Sequence, residues 1–341
     1  VKRTAKWLGA TFGVLLLLTT QWGGVVEPYW LDVRREEAVI PGLPPEWDER
    51  RVAVLADWQI GMWMPNTSTM RRATERAIQE RPVAVLLAGD FVYHADDEPA
   101  ELTGKVVALL RPLLEAGIPT YAVLGQSRLS VFDYGARKRV DVAAAVRNGL
   151  STAGIRVLHN EAAALRPRGT RTPLYLVGLG EAWAAEDEPA AAVAAVPGGQ
   201  PRLVFMHNPN SYDSLPSGTA PLAIAAHTHA GQLRIPAVRW LRLARGYEVH
   251  SAGWISGFGE PGNRLYVKAI RWAARAPPFR VWRGATSADE AIQADDGDHR
   301  TGSCGGSGLL VPNAGSKWMG GIPRRRATPA CAIRSRGVGE A

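Results

Sequence analysis

Five short apolar runs in this chain each stop on a carboxylate, an amide or an imidazole: "RVAVLADWQ", "PVAVLLAGD", "PTYAVLGQS", "PRLVFMHNP" and "PLAIAAHTHAGQ". Runs of this length that lack strict alternation are strands buried on both faces. Between and around them lie stretches with apolar residues at helical spacing, "ATERAIQE", "GKVVALLRPLLEAG" and "VDVAAAVRNGLSTAG", and a small-residue helix at "EPAAAVAAV". Strands alternating with helices define an α/β chain, and in such folds the strand ends at one edge face a common crevice. The polar residues that collect there are Asp57 and Gln59, Asp90, Gln126 and Ser127, His207, and the pair His227 and His229. Singly, each has an ordinary structural use: Asp90 as a turn former, His207 as a satisfied buried histidine. Their recurrence at five strand ends is what singles them out.

The rest of the chain bounds the reading. A length of 341 residues favours a single large domain with appendages. At the N-terminus, "VKRTAKWLGATFGVLLLLTTQW" places Lys2, Arg3 and Lys6 ahead of an uncharged run from Trp7 to Trp22, and the next charge is Glu27. Extended to Val26, that run as a helix measures roughly 30 Å, the thickness of a bilayer core. The expectation is an uncleaved signal anchor over residues 1–27, a single transmembrane helix in the cell membrane. By the positive-inside rule the remainder lies on the non-cytoplasmic side. Residues 28–50 read as a linker with an edge strand at most. Beyond Val267 the composition turns to Arg, Gly, Ala and Pro with little periodicity, so 268–341 is expected to be a low-complexity, disordered tail. The net charge of +8 admits a phosphate ester, an anionic lipid surface or nucleic acid as partner. Since the arginines are scattered rather than blocked, nucleic acid is not the expected one. Cys304 and Cys331 both lie near the C-terminus, which indicates neither a disulfide framework nor a thiolate metal site.

In order and context the strand-end residues resemble the calcineurin-like metallophosphoesterases, whose pattern is D-x-H, G-D, G-N-H-[DE], H and G-H-x-H. The resemblance runs from Arg51 to Pro236 and continues more weakly through "GWISGFGEPGNRLYV". "FMHNPNSYDSLP" and "AHTHAGQLRIP" are similar to blocks of the membrane-anchored bacterial branch. The resemblance implies a four-layer α-β-β-α sandwich over residues 51–267 and a centre for two divalent or trivalent ions, Mn, Fe or Zn. It implies hydrolysis of a phosphomonoester or phosphodiester, with a lipid-linked headgroup among the candidates, by metal-bound hydroxide. Two ions about 3.5–4 Å apart both generate such a nucleophile and clamp the charge on the phosphoryl oxygens. Carried over position by position, Asp90 bridges the ions; Asp57, Gln59 and His229 complete the first; Gln126, His207 and His227 complete the second.

The chain departs from the family pattern inside the site. Gln59 stands in place of a His, Gln126 in place of the Asn ligand, and Ser127 in place of a His that protonates the leaving group or holds the phosphate. An amide oxygen coordinates a hard cation more weakly than imidazole, and a serine hydroxyl cannot replace imidazole as a general acid, a role worth typically ~10²–10⁴-fold. His94, in "GDFVYH", is the candidate substitute. Arg128 is the candidate for bidentate contact with a phosphate oxygen. Tyr93 sits as in the G-D-x-x-Y of purple acid phosphatases, where Tyr ligates iron, or else packs on the sheet. The alternative functional reading is a catalytically impaired relative that binds metal or phosphate as a scaffold at the cell envelope.

Overall fold

A computed structural model describes residues 2–22, 29, 31, 33–62, 66–93, 98–125, 140–228, 253–255, 259–267 and 278–283. The buried strands form two six-stranded sheets. In the first, β2 (Arg50–Leu55), β3 (Ala84–Ala88) and β4 (Thr120–Val123) are parallel neighbours, with Val52 opposite Ala84 and Val85 opposite Thr120. β5 (Arg156–Val157) flanks β4, while β1 (Glu36–Ile40) and β12 (Pro278–Arg283) lie beyond β2. In the second sheet β7 (Leu174–Gly178), β8 (Arg202–Phe205) and β9 (Ala223–Ala225) run parallel. β6 (Glu161–Leu165) closes one edge; β11 (Leu265–Val267) and β10 (Gly253–Ile255) close the other.

The two-residue period of a strand sorts these side chains into layers. Val52, Val54 and Ala56 face Leu174, Leu176, Leu203 and Phe205 in a core between the sheets. Ala53 and Leu55 turn the other way, onto Met70 and Ala73 of α2 (Thr67–Gln79) and Val106, Leu110 and Leu113 of α3 (Pro99–Glu115). α3 starts on a proline, whose missing N–H costs nothing in the first turn, and it buries positions at i, i+3, i+4 and i+7. Val142, Val146 and Leu150 of α4 (Val140–Thr152) join the same layer. On the far side Val204 and Met206 pack with Ala192 and Val193 of α5 (Pro189–Ala194). Each central strand therefore buries apolar side chains on both faces, at about 1.5–3 kcal/mol per Val or Leu. This explains the unalternating runs, and it builds the expected α-β-β-α layering.

Two expected boundaries are too narrow. The stretch read as a linker with an edge strand, 28–50, supplies such a strand as β1, at the edge of the first sheet, and adds the short turn Pro45–Trp47, whose Trp47 is fully buried with Nε1 donating to Thr172 O at 2.8 Å. The stretch read as a disordered tail supplies β12, which pairs parallel to β1 and antiparallel to β2. Short strands of mixed composition carry little periodicity, and their partner lies far away in sequence, so local pattern does not reveal them. Residues 284–341 lie outside the described residues.

The expected transmembrane segment forms α1 (Lys2–Gln21), with Trp7, Phe12 and Leu15 to Leu18 exposed. Among the described residues, however, no helix is long and apolar enough to cross a membrane. The uncharged part of α1 starts only at Trp7, so it measures roughly 22 Å, short of the ~30 Å needed. The extension to Val26 on which the expectation depended lies outside the described residues.

Glu80, just past α2, is 5% exposed and gathers Arg35 (2.5 Å), Arg76 (2.7 Å) and Arg51 (3.1 Å). The hydrogen bond from Arg35 holds its carboxyl below the ordinary 4.5, against the opposing effect of burial. Glu80→Gln is expected to lower stability at pH 7 by about 1.5–3 kcal/mol in urea titrations. Because the folded-state value is lowered, the contribution is complete above pH 4.5 and fades as pH falls below it, so wild type and variant converge in acid.

Candidate metal centre

The C-terminal ends of β2, β3, β8 and β9 meet at one edge, and the polar residues that end them are held in unusual backbone conformations. Asp57, Gln59, Asp90 and His227 have φ of 55°, 42°, 54° and 70°, in the left-handed region that side chains other than glycine enter at a cost of about 1–3 kcal/mol each. Backbone hydrogen bonds hold them there. Asp57 N donates to Gly89 O (3.1 Å), Gln59 N to Asp90 O (2.8 Å), Ile60 N to Phe91 O (3.0 Å) and Tyr93 N back to Ile60 O (2.9 Å). The loop after β2 is thus laced to the loop after β3, and both acids turn inward.

The second sheet supplies the imidazoles. His207 Nδ1 lies 2.8 Å from the carbonyl of Ala88, which can only accept, so Nδ1 carries the hydrogen and Nε2 is the coordinating nitrogen of the neutral ring. That Nε2 lies 3.3 Å from Asp90 Oδ2. Two lone-pair-bearing atoms at this separation repel unless a proton or a cation shares them. Burial opposes the imidazolium, but Asp90, with Glu181 and Asp57 adding to it, outweighs burial and raises His207 to about 10. The His227 ring stands 5.1 Å from that of His207, and its backbone N–H donates to Asp57 Oδ1 at 3.3 Å. Asp90, His207 and His227 are all buried and each offers a ligand atom within 4.8 Å of the others. A ligating His that donates its other N–H to a backbone carbonyl is the usual outer-shell arrangement, so the donor set fits a metal ion.

Of the residues expected from the sequence, Asp90, His207 and His227 form one cluster, and Asp57 is joined to it through the backbone N–H of His227. Gln59 lies in the same laced loop by its backbone. Gln126, Ser127, Arg128, His94 and His229 lie outside the described residues. Tyr93 is half-buried, tied to Ile60 through its backbone.

One site residue was missed. Glu181, 1% exposed in the loop after β7, has its carboxyl pushed up by burial; His207 and His227 pull it back down and Asp90 adds to the rise. The signal was available, since "YLVGLGEAW" also ends an apolar run on a carboxylate. Leu179 and Gly180, between strand and acid, obscured it.

With this geometry in view, the family assignment follows. The profile of the calcineurin-like phosphoesterases matches residues 50–231, and the chain belongs to that family. Over 188 residues it is 32% identical to the phosphodiesterase YaeI of Escherichia coli (strain K12), a match that covers 55% of this chain and 63% of that relative. The matched region is thus less than two thirds of the relative's length.

Gly89, with φ 88°, sits beneath the imidazole: a Cβ there would lie 2.7 Å from His207 Nδ1. Gly89→Ala is expected to break the Ala88–His207 hydrogen bond and to displace the ring. NMR of the His207 imidazole should show an altered nitrogen shift at Nδ1; an unchanged spectrum in a folded variant counts against this geometry.

Proposed function

We propose that the protein is a metal-dependent phosphoesterase that hydrolyses a phosphomonoester or phosphodiester. The observation that carries the reading is the buried Asp90–His207–His227 cluster, with ligand atoms within 4.8 Å of one another, at an edge where the parallel central strands of two mixed sheets end. Membership of the calcineurin-like phosphoesterases supports it. Asp90 would share its carboxylate between two ions. Asp57, Gln59 and His229 are assigned to one, and Gln126, His207 and His227 to the other. Cations held there supply Lewis acidity toward phosphoryl oxygens and an acidified water.

The chain's own residues do the rest. Ala88 O orients His207 so that Nε2 points at the centre, and Asp57 Oδ1 fixes the backbone at His227. The layered core behind the strands excludes bulk water from the buried side of the site. Arg128 is assigned to a phosphoryl oxygen, and His94 to proton delivery in place of Ser127. A lipid-linked headgroup substrate, with the domain on the non-cytoplasmic side of the cell membrane, is the finer reading. Its support is the sequence order alone, in which Lys2, Arg3 and Lys6 precede an uncharged apolar run; carbonate extraction of cell membranes tests it.

Loading with Mn should give two ions per chain and turnover of bis-p-nitrophenyl phosphate, with His207→Ala lowering kcat/KM roughly 100-fold or more. Two bound ions without turnover would assign the scaffold alternative instead, and no bound ion would remove both. The carboxylate of Asp90 favours the protonated His207 ring, so uptake of metal competes with that proton. Calorimetry in buffers of different ionisation enthalpy should show proton release on metal uptake, with affinity rising as pH rises.

A further inference from the structure

Outside α1 and its immediate end, the large apolar side chains left exposed among the described residues are Tyr29 and Trp183. Trp183 is not placed at random. Its ring centroid lies 4.6 Å from that of His227 at an interplanar angle of 83°, while 40% of the residue remains exposed. An indole is thus set against one imidazole of the cluster and remains partly exposed.

The loop that carries it is rigidly built. Asn160, itself left-handed at φ 55°, ties both ends: its Oδ1 accepts from Gly180 N (2.8 Å) and Glu188 N (3.0 Å), and its Nδ2 donates to Glu186 O (2.6 Å). Inside the loop, Glu181 Oε1 accepts from Trp183 N at 3.2 Å, and the carbonyl of Glu181 accepts from Ala184 N and Glu186 N. At Gly180 any Cβ would strike the Glu186 carbonyl, so the chain closes there only on glycine. The cost of ordering the indole is thereby met before a ligand arrives, which is what makes a recognition residue effective.

We propose that Trp183 is the residue that recognises the organic group of the ester, by packing against a planar aromatic or heteroaromatic ring of a substrate whose phosphoryl end sits at the Asp90–His207–His227 cluster. This rests on the phosphoesterase reading above and adds a substrate class to it. An exposed apolar surface of this size beside buried charged groups suits a ligand that is polar at one end and flat at the other. Ring stacking of this kind changes affinity by roughly 3- to 10-fold.

The test uses the full chain loaded with Mn and measures binding of phenylphosphonate, methylphosphonate and hexylphosphonate by calorimetry, independently of turnover. Wild type should bind the phenyl compound roughly 3- to 10-fold more tightly than the methyl one. Trp183→Phe should keep that preference, and Trp183→Leu, which retains apolar bulk without a ring, should lose it while binding Mn as wild type does. The proposal is overturned if Trp183→Leu keeps the preference, if wild type shows none, or if hexylphosphonate binds as tightly as phenylphosphonate. Binding of none of the three to Mn-loaded wild type that turns over bis-p-nitrophenyl phosphate overturns this proposal alone, whereas a chain that takes up no Mn removes the phosphoesterase reading and this proposal with it.

Discussion

The site depends on one contact across the two sheets, the hydrogen bond from His207 Nδ1 to the carbonyl of Ala88. It joins the end of β8 to the end of β3, and in doing so fixes the tautomer that leaves Nε2 facing Asp90. At the opposite end, Trp47 reaches Thr172 O, and the Glu46 carboxylate accepts from the backbone of Arg171 and Thr172. With the sheets tied at both ends, the core between them holds its spacing and the strand-end side chains cannot drift apart.

Holding charged groups so close has a cost that the surrounding structure carries. Four non-glycine residues of the site lie in left-handed backbone, and a buried carboxylate faces a buried imidazole. The laced loops after β2 and β3 absorb the first cost through backbone hydrogen bonds, and the full burial of the strands behind them offsets it. The second is met by a shared proton or cation. A structural role alone would call for neither the strain nor the paired charges, which is why their coincidence supports a ligand-binding purpose.

Glu181 and Trp183 extend the centre beyond the family pattern. The acid lies buried beneath the loop and the indole stands at its rim, both set by the amide of Asn160. On the proposed reading, phosphoryl chemistry falls to the strand ends and substrate choice to a separate loop tied by Asn160. Such a division lets one fold serve many esters.

The sequence by itself determined the layers and most of the inner cluster. Strands buried on both faces announce themselves as unbroken apolar runs, and Asp57, Asp90, His207 and His227 each stand where such a run stops. That information is local, so it could be read residue by residue. The tertiary structure alone decided the rest. β1 and β12 find one another across most of the chain, through backbone pairing that leaves no composition signal. The tautomer of His207 depends on a carbonyl from the other sheet, and Trp183 gains its meaning only from lying 4.6 Å from His227. Periodicity records which face of an element is buried, but not which distant atom that face meets, because the meeting depends on loop path and layer spacing rather than on neighbouring residues.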